Sequence, residues 1–224
     1  MISKLPKWVE ASAFVLAFIA GSVNAIALLG FNHQGVSHLT GSSSLLGVEL
    51  AKANYAEVIH LGWIILSFVV GAGLSGFAIG NESLRYGRRY GFALLCVALL
   101  LVLSMYFLNL SSNLGHYLAS AACGLQNAMT STFSGALMRT THVTGLFTDL
   151  GIIIGLWLRG HSPDKRRVIL YLILITGFIV GGLIGAISFT HLTFYAMLIP
   201  AALAALLAGI YFVCRQKLIQ SSSS

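Results

Sequence analysis

Two His-x-Thr-Gly strings stand out in this chain, His38-Leu39-Thr40-Gly41 and His142-Val143-Thr144-Gly145. Imidazole can relay protons or ligate a metal. Thr-Gly interrupts a helix, and a helix that restarts there presents free N–H groups and the positive end of its dipole. Two such ends facing one another suit an anion, a carboxylate or an electronegative ring. The alternative is that Thr-Gly only permits a tight kink whose polar groups satisfy each other. After each string comes more polar material: Ser42, Ser43 and Ser44 in the first, Thr148 and Asp149 in the second. The serines are natural N-caps, so the first helix is expected to restart at Ser42–Ser44. The second is expected to restart around Thr144, Gly145 and Thr148. Asn24 and Asn127 lie upstream of the strings, beside Gly21 and Gly124, and can bridge helices or hold a polar solute. His38, His142 and Asp149 could in principle hold a metal, which their spacing does not test; the favoured alternative is that each ring bonds a carbonyl at its helix break, so no metal and no cofactor are expected.

The elements that position these residues follow from composition. The chain has 224 residues, 57% hydrophobic and 8% charged, against about 25% charged in soluble domains. Mean hydropathy is +0.88. Too few polar groups exist to cover a soluble surface, and apolar content is too high for disorder. The class is therefore an all-α polytopic membrane protein, a single membrane domain over 1–224 with lipid as its solvent. The net charge of +7 does not point to nucleic acid, because basic residues sit in short clusters between apolar runs.

Six segments have the length of about 20 residues that spans a bilayer as a helix. They are Trp8–Gly30, Glu57–Gly80, Arg88–Leu108, Leu114–Ala136, Arg166–Ser188 and Leu192–Val213. Val36–Ala51 and Thr140–Leu158 are shorter or begin polar, and read as re-entrant or interrupted helices. Orientation follows from the positive-inside rule. With six crossings and a cytoplasmic N-terminus, only Lys52 of the 13 basic residues falls outside. With eight crossings, Arg85, Arg88, Arg89 and Arg139 fall outside. Six crossings, with both termini and the 214–224 tail cytoplasmic, is the expected topology.

The chain also repeats itself. Asn24-Ala25 matches Asn127-Ala128 at an offset of 103, and His38-x-Thr-Gly matches His142-x-Thr-Gly at 104. Gly47 matches Gly151 at 104 as well. Ser67, Gly71 and Ser75 match Gly177, Gly181 and Gly185 at 110. Repeat one covers about 8–108 and repeat two about 114–213. Three crossings per repeat is an odd number, so the second repeat enters the membrane inverted, and in such folds the site lies near the midplane.

The paired Asn-Ala and His-x-Thr-Gly motifs in a small six-helix chain resemble the YoaK-like family, bacterial inner-membrane proteins grouped as a domain of unknown function. The resemblance covers Ala11 to Val213. It rests on Gly21–Gly47 and Gly124–Gly160, including Arg139-Thr-Thr-His-Val-Thr-Gly145 and Thr148-Asp149-Leu150-Gly151. It implies a multi-pass protein of the bacterial inner membrane and no established substrate. The family pattern often has Asp at the place of Asn24 and Asn at the place of Ser42. If that Asp couples an ion or proton, this chain lacks that part.

Asp149 carries the sharpest expectation. An ionised Asp at a membrane-helix centre costs about 2.5–3.5 kcal/mol, and such groups often mark proton or cation paths. The bland alternative is an acid stabilised by its own helix N-terminus. The Ser67-Gly71-Ser75 and Gly177-Gly181-Gly185 stripes let helices approach closely, within one chain or across a homodimer. Pro200 is expected to kink the last helix from within. Glu49 beside Lys52 reads as a solvated ion pair, with a gating pair as the alternative.

The residues together predict a small-solute transporter for a polar or anionic solute. Its path would take in Asn24, His38, Thr40, Gly41, Ser42, Asn127, His142, Thr144, Gly145, Thr148 and Asp149, with proton coupling through Asp149. A passive channel and a non-transporting scaffold or sensor are the alternatives. An enzyme is not expected, since no nucleophile elbow or paired metal motif is present.

Overall fold

The computed structural model describes residues 7–30, 33–80, 88–134 and 139–221. All regular structure among them is helical. In chain order the helices are α1 (Lys7–Leu29), α2 (Leu39–Ala51), α3 (Tyr55–Ile79), α4 (Arg88–Asn109), α5 (Leu114–Ser134), α6 (Val143–Leu158), α7 (Lys165–Leu192) and α8 (Leu198–Ser221). A 3-10 turn, Thr193–Met197, joins the last two. Among the described residues, four stretches are long and apolar enough to cross a membrane: Glu10–Leu29, Tyr55–Ile79, Arg89–Asn109 and Lys165–Val213. The fourth contains both α7 and α8. Lys4, Arg85 and the expected end of a crossing at Ala136 lie outside the described residues.

Small residues decide which helices pair. On α7, Gly177, Gly181 and Gly185 lie against Phe14, Phe18 and Ser22 of α1. The matching four-residue steps mean that α1 and α7 run in the same direction. A Cβ at Gly21 would overlap the Phe178 carbonyl, and one at Gly181 would overlap that of Phe18. The same crossing recurs between α3 and α5, where Gly124 meets the Phe68 carbonyl and Gly71 meets that of Ala121. Both stripes are therefore closed within the chain. Ser22 Oγ adds a bond to Gly181 O across the first crossing, 2.8 Å.

Helix α5 is the most polar and the most enclosed. Its Ser120, Gln126 and Thr130 are buried, because each can bond backbone inside the bundle. Gln126 Nε2 donates to Leu16 O on α1 at 2.8 Å. Ser120 Oγ donates to Ile64 O (2.8 Å) and to Val36 O (3.2 Å). Val36 adjoins Ser37, whose N–H reaches Asn24 Oδ1 later in α1. Advancing along α5 thus retreats along α1, and the two helices run in opposite directions.

Two sequence expectations are corrected. The chain does not turn at Phe189–His191; α7 continues through Leu192, and the turn comes at Thr193, whose φ is +51°. No Gly or Pro stands between Gly185 and Pro200 to end the helix earlier. Pro200 then falls in the first turn of α8, not its interior. There its missing N–H removes no helical bond, so it starts the helix and does not kink it.

Helices α2 and α6 lie at the periphery, though Leu146 of α6 joins the buried core. The first packs on α3 and the second on α7. Leu45, Val48, Phe147, Ile152 and Trp157 are exposed on them, a pattern that fits a lipid-facing surface. At the end of α2, Glu49 pairs with Lys52 Nζ at 2.7 Å and accepts from Asn54 Nδ2 at 2.8 Å. These partners hold its carboxyl below the usual carboxylate range. It is a solvated helix-end pair, remote from the cavities described next.

Candidate functional site

Each break places its histidine immediately before a helix. His38 is the N-cap of α2 and His142 the N-cap of α6, and neither caps with its side chain. The helices therefore start before Ser42–Ser44 and before Thr144, which corrects the expected restart points. Glycine explains the shift. The His38 ring folds over Gly41, with Nε2 3.1 Å from where a Cβ would stand, and it also fills the space at Gly35. The His142 ring covers Gly145 in the same way. Each ring thus lies over the third residue of its helix, tightly at Gly41 and overlapping the Cβ position at Gly145.

The hydroxyl groups divide between structure and cavity. Ser44 Oγ donates back to Thr40 O, and Thr148 Oγ1 donates to Thr144 O, both at 3.0 Å. Ser42 Oγ reaches Gly35 O at 3.4 Å. Asn24 Oδ1 accepts from Ser37 N–H at 3.2 Å, pinning the first break to α1. In the second repeat Gln126 Nε2 lies 3.4 Å from Thr140 Oγ1. The pseudo-equivalents of Gln126 and Thr140 are Val23 and Val36, both buried. One repeat anchors its break through a polar contact where the other places two valines.

The two breaks meet in one cavity of about 540 Å³. Ser37, His38, Leu39, Thr40 and Gly41 line it from the first repeat, and Asn127, Ser131, Arg139, Thr141, His142 and Thr144 from the second. Phe68 closes one wall. A smaller cavity of about 220 Å³ adjoins it through Arg139 and His142, and is lined as well by Gly145, Leu146, Asp149, Arg167 and Tyr171.

Of the residues expected from sequence, His38, Thr40, Gly41, Asn127, His142 and Thr144 come together in the larger cavity. Gly145 and Asp149 lie in the smaller one, with His142 in both. Asn24, Ser42 and Thr148 line neither; they hold the breaks in shape. His38 and Asp149 share no cavity, and among the described residues no three His, Cys, Asp or Glu groups converge as a metal site.

Asp149 is not isolated. Tyr171 Oη donates to its Oδ2 at 2.8 Å, and Arg167 approaches the same oxygen at 4.0 Å. Arg167 Nε also donates to Tyr171 Oη at 2.8 Å. The carboxylate is partnered from the first two turns of α7, half-exposed, and does not depend on the α6 N-terminus.

Sequence reasoning missed four of these groups. Arg139, counted among the cytoplasmic basic residues, lines both cavities. Arg167 and Tyr171 were read only as helix start and helix body. Ser37 is 2% exposed, lines the larger cavity, and its Oγ has no hydrogen-bond partner. One signal was available: Ser37 and Thr141 precede the two histidines at the same offset of 104.

No curated protein and no solved structure matches the chain. The family model described as "Protein of unknown function (DUF1275)" matches residues 12–210, nearly the span over which the YoaK-like resemblance runs. The chain belongs to the DUF1275 family.

Proposed function

We propose that the protein is a small-solute transporter of the bacterial inner membrane, with its site in the cavity between the two His-x-Thr-Gly breaks. The observation that carries this reading is the joint lining of one cavity by both breaks, with two buried polar atoms there, Ser37 Oγ and Asn127 Oδ1, left without partners. Unpaired buried polar atoms cost about 1–3 kcal/mol each, so a site that retains them suits a ligand; Ser37 Oγ can donate to it, and Asn127 can donate through Nδ2 once its amide turns over. The six-crossing, inverted-repeat topology is supported by the parallel pairs α1/α7 and α3/α5 and by the opposed α1 and α5. Cytoplasmic termini follow from the basic clusters.

The two repeats also differ at their paired asparagines. Asn24 Oδ1 holds Ser37 N–H, while Asn127 Oδ1, its counterpart, holds nothing. Thr141 is the counterpart of Ser37. Exchange of roles, with Asn127 taking the Thr141 N–H and Asn24 releasing Ser37, would open the cavity to the other side. A carrier of this kind needs no new contact type in its second state.

Flux into liposomes tests the reading. The expected result is saturable uptake of at least one small metabolite or anion, absent from protein-free vesicles. Failure across a broad panel would remove transport from consideration. Unitary rates far above ~10³ s⁻¹ would favour a passive channel, because carrier cycles wait on conformational steps.

The reading assigns proton coupling to Asp149, which lines the adjoining cavity and accepts from Tyr171 Oη. Asp149→Asn should still pass solute downhill but lose accumulation driven by an imposed pH gradient. Unaltered accumulation would take Asp149 out of the coupling step.

A further inference from the structure

We propose that the solute is a small monovalent oxyanion, bound in the larger cavity through Arg139. This rests on the cavity being the transport site, and it deepens that reading by naming the charge and the residue that reads it.

The formal charges point one way. Among the residues lining the larger cavity only Arg139 carries a fixed charge, and no carboxylate lines it. Asp149 lines the adjoining cavity and is already engaged by Tyr171 Oη and Arg167. Arg139 lines both cavities and forms no ion pair with a described residue, so its guanidinium is available to the larger one. A planar fork of donors matches the two oxygens of a carboxylate, or two of an inorganic oxyanion.

Neutral donors add to it. The first turns of α2 and α6 both open on this cavity without side-chain caps, so free N–H groups and two positive dipole ends converge there. Ser37 is the independent observation. Its hydroxyl is buried, unpaired and in the cavity wall, where it can donate to an anion. The repeat relation sharpens the assignment. At the offset of 104 the counterpart of Arg139 is Gly35, whose Cβ space the His38 ring already occupies. One repeat supplies a charge where the other packs a histidine ring. A single positive charge selects a monoanion, and about 540 Å³ admits a small organic acid.

Equilibrium binding to the purified full-length protein in detergent, by calorimetry, separates this inference from transport itself. The probes are acetate, lactate and benzoate as carboxylates, nitrate and dihydrogen phosphate as inorganic oxyanions, and acetamide and methylammonium as neutral and cationic controls. The expected result is binding by at least one oxyanion and none by the controls. Arg139→Gln should weaken it at least about tenfold, and Arg139→Lys should keep part of it, as a point charge in place of a fork. Melting temperature measured beside each variant reports folding independently. The carboxylate and inorganic arms decide between the two sources of the same chemistry. Binding of acetamide equal to acetate, or affinity unchanged in a folded Arg139→Gln protein, would overturn the inference while leaving transport intact. Oxyanion binding without any flux in liposomes would uphold it and remove the transport reading instead.

Discussion

Gly21→Ala and Gly124→Ala should each remove most of the folded protein from the membrane, and to a similar degree. In both cases the added methyl would occupy the position of a backbone carbonyl on the partner helix, Phe178 for Gly21 and Phe68 for Gly124. Backbone cannot rotate aside as a side chain does, so the helices must separate. Separation loses packing along the whole crossing, which in lipid is the main force holding helices together. Overpacking typically costs about 1–3 kcal/mol and more where backbone must move, and these sites belong at or above the upper end. Gly47→Ala and Gly151→Ala are the matched controls, since nothing lies within 4 Å of a Cβ at either place. Melting in detergent and steady-state level in the membrane check the prediction. Four equally stable proteins would mean that the close crossings are not what holds the bundle.

Thr40→Trp and Thr144→Trp should leave the fold intact and stop transport. Both threonines are exposed and line the larger cavity, in the first turns of α2 and α6. Neither side chain lies in the buried core, so stability should hold. An indole at either place fills a large part of the cavity, and flux should fall at least about tenfold because the solute site itself is occupied. Ser44→Trp serves as a control, one helical turn further along α2 and outside the cavity lining. Uptake into liposomes at matched protein content is the measurement. Undiminished flux in both threonine variants would move the path away from this cavity, whatever the solute.

Much of the architecture was legible because lipid imposes a simple rule. Backbone in hydrocarbon must bond to itself, so apolar runs of sufficient length become helices. The expected segments Trp8–Gly30, Glu57–Gly80 and Arg88–Leu108 fall within a few residues of α1, α3 and α4. The paired offsets of 103, 104 and 110 were visible as well, and the structure places these residues in matching contacts. Gly21 with Phe178 and Gly124 with Phe68 are one crossing built twice. Helix starts were less legible. Ser42–Ser44 have the side chains of caps, but the start depends on where the His38 ring lies, and that depends on Gly35 and Gly41 together.

The site was legible in part. Spacing identified His38, Thr40, His142 and Thr144, because a polar string that breaks an apolar run is conspicuous in one dimension. It attached the wrong weight to the charges. Asp149 reads as an unexplained acid in a linear apolar window, whereas Tyr171 and Arg167 reach it from the next helix. Arg139 reads as one more basic loop residue, whereas folding turns it toward both cavities.

The sequence alone determined the class, most of the helical segments, the match between its two halves and the two breaks. Each of these depends on local composition or on comparison of the chain with itself. Only the tertiary structure decided that the small-residue stripes close within the chain, that the breaks share one cavity, and which charges remain uncompensated in it. Those are relations between residues distant in sequence. They are set by which helix backbones can approach closely enough to touch, and glycine at six positions, Gly21, Gly71, Gly124, Gly177, Gly181 and Gly185, decides that.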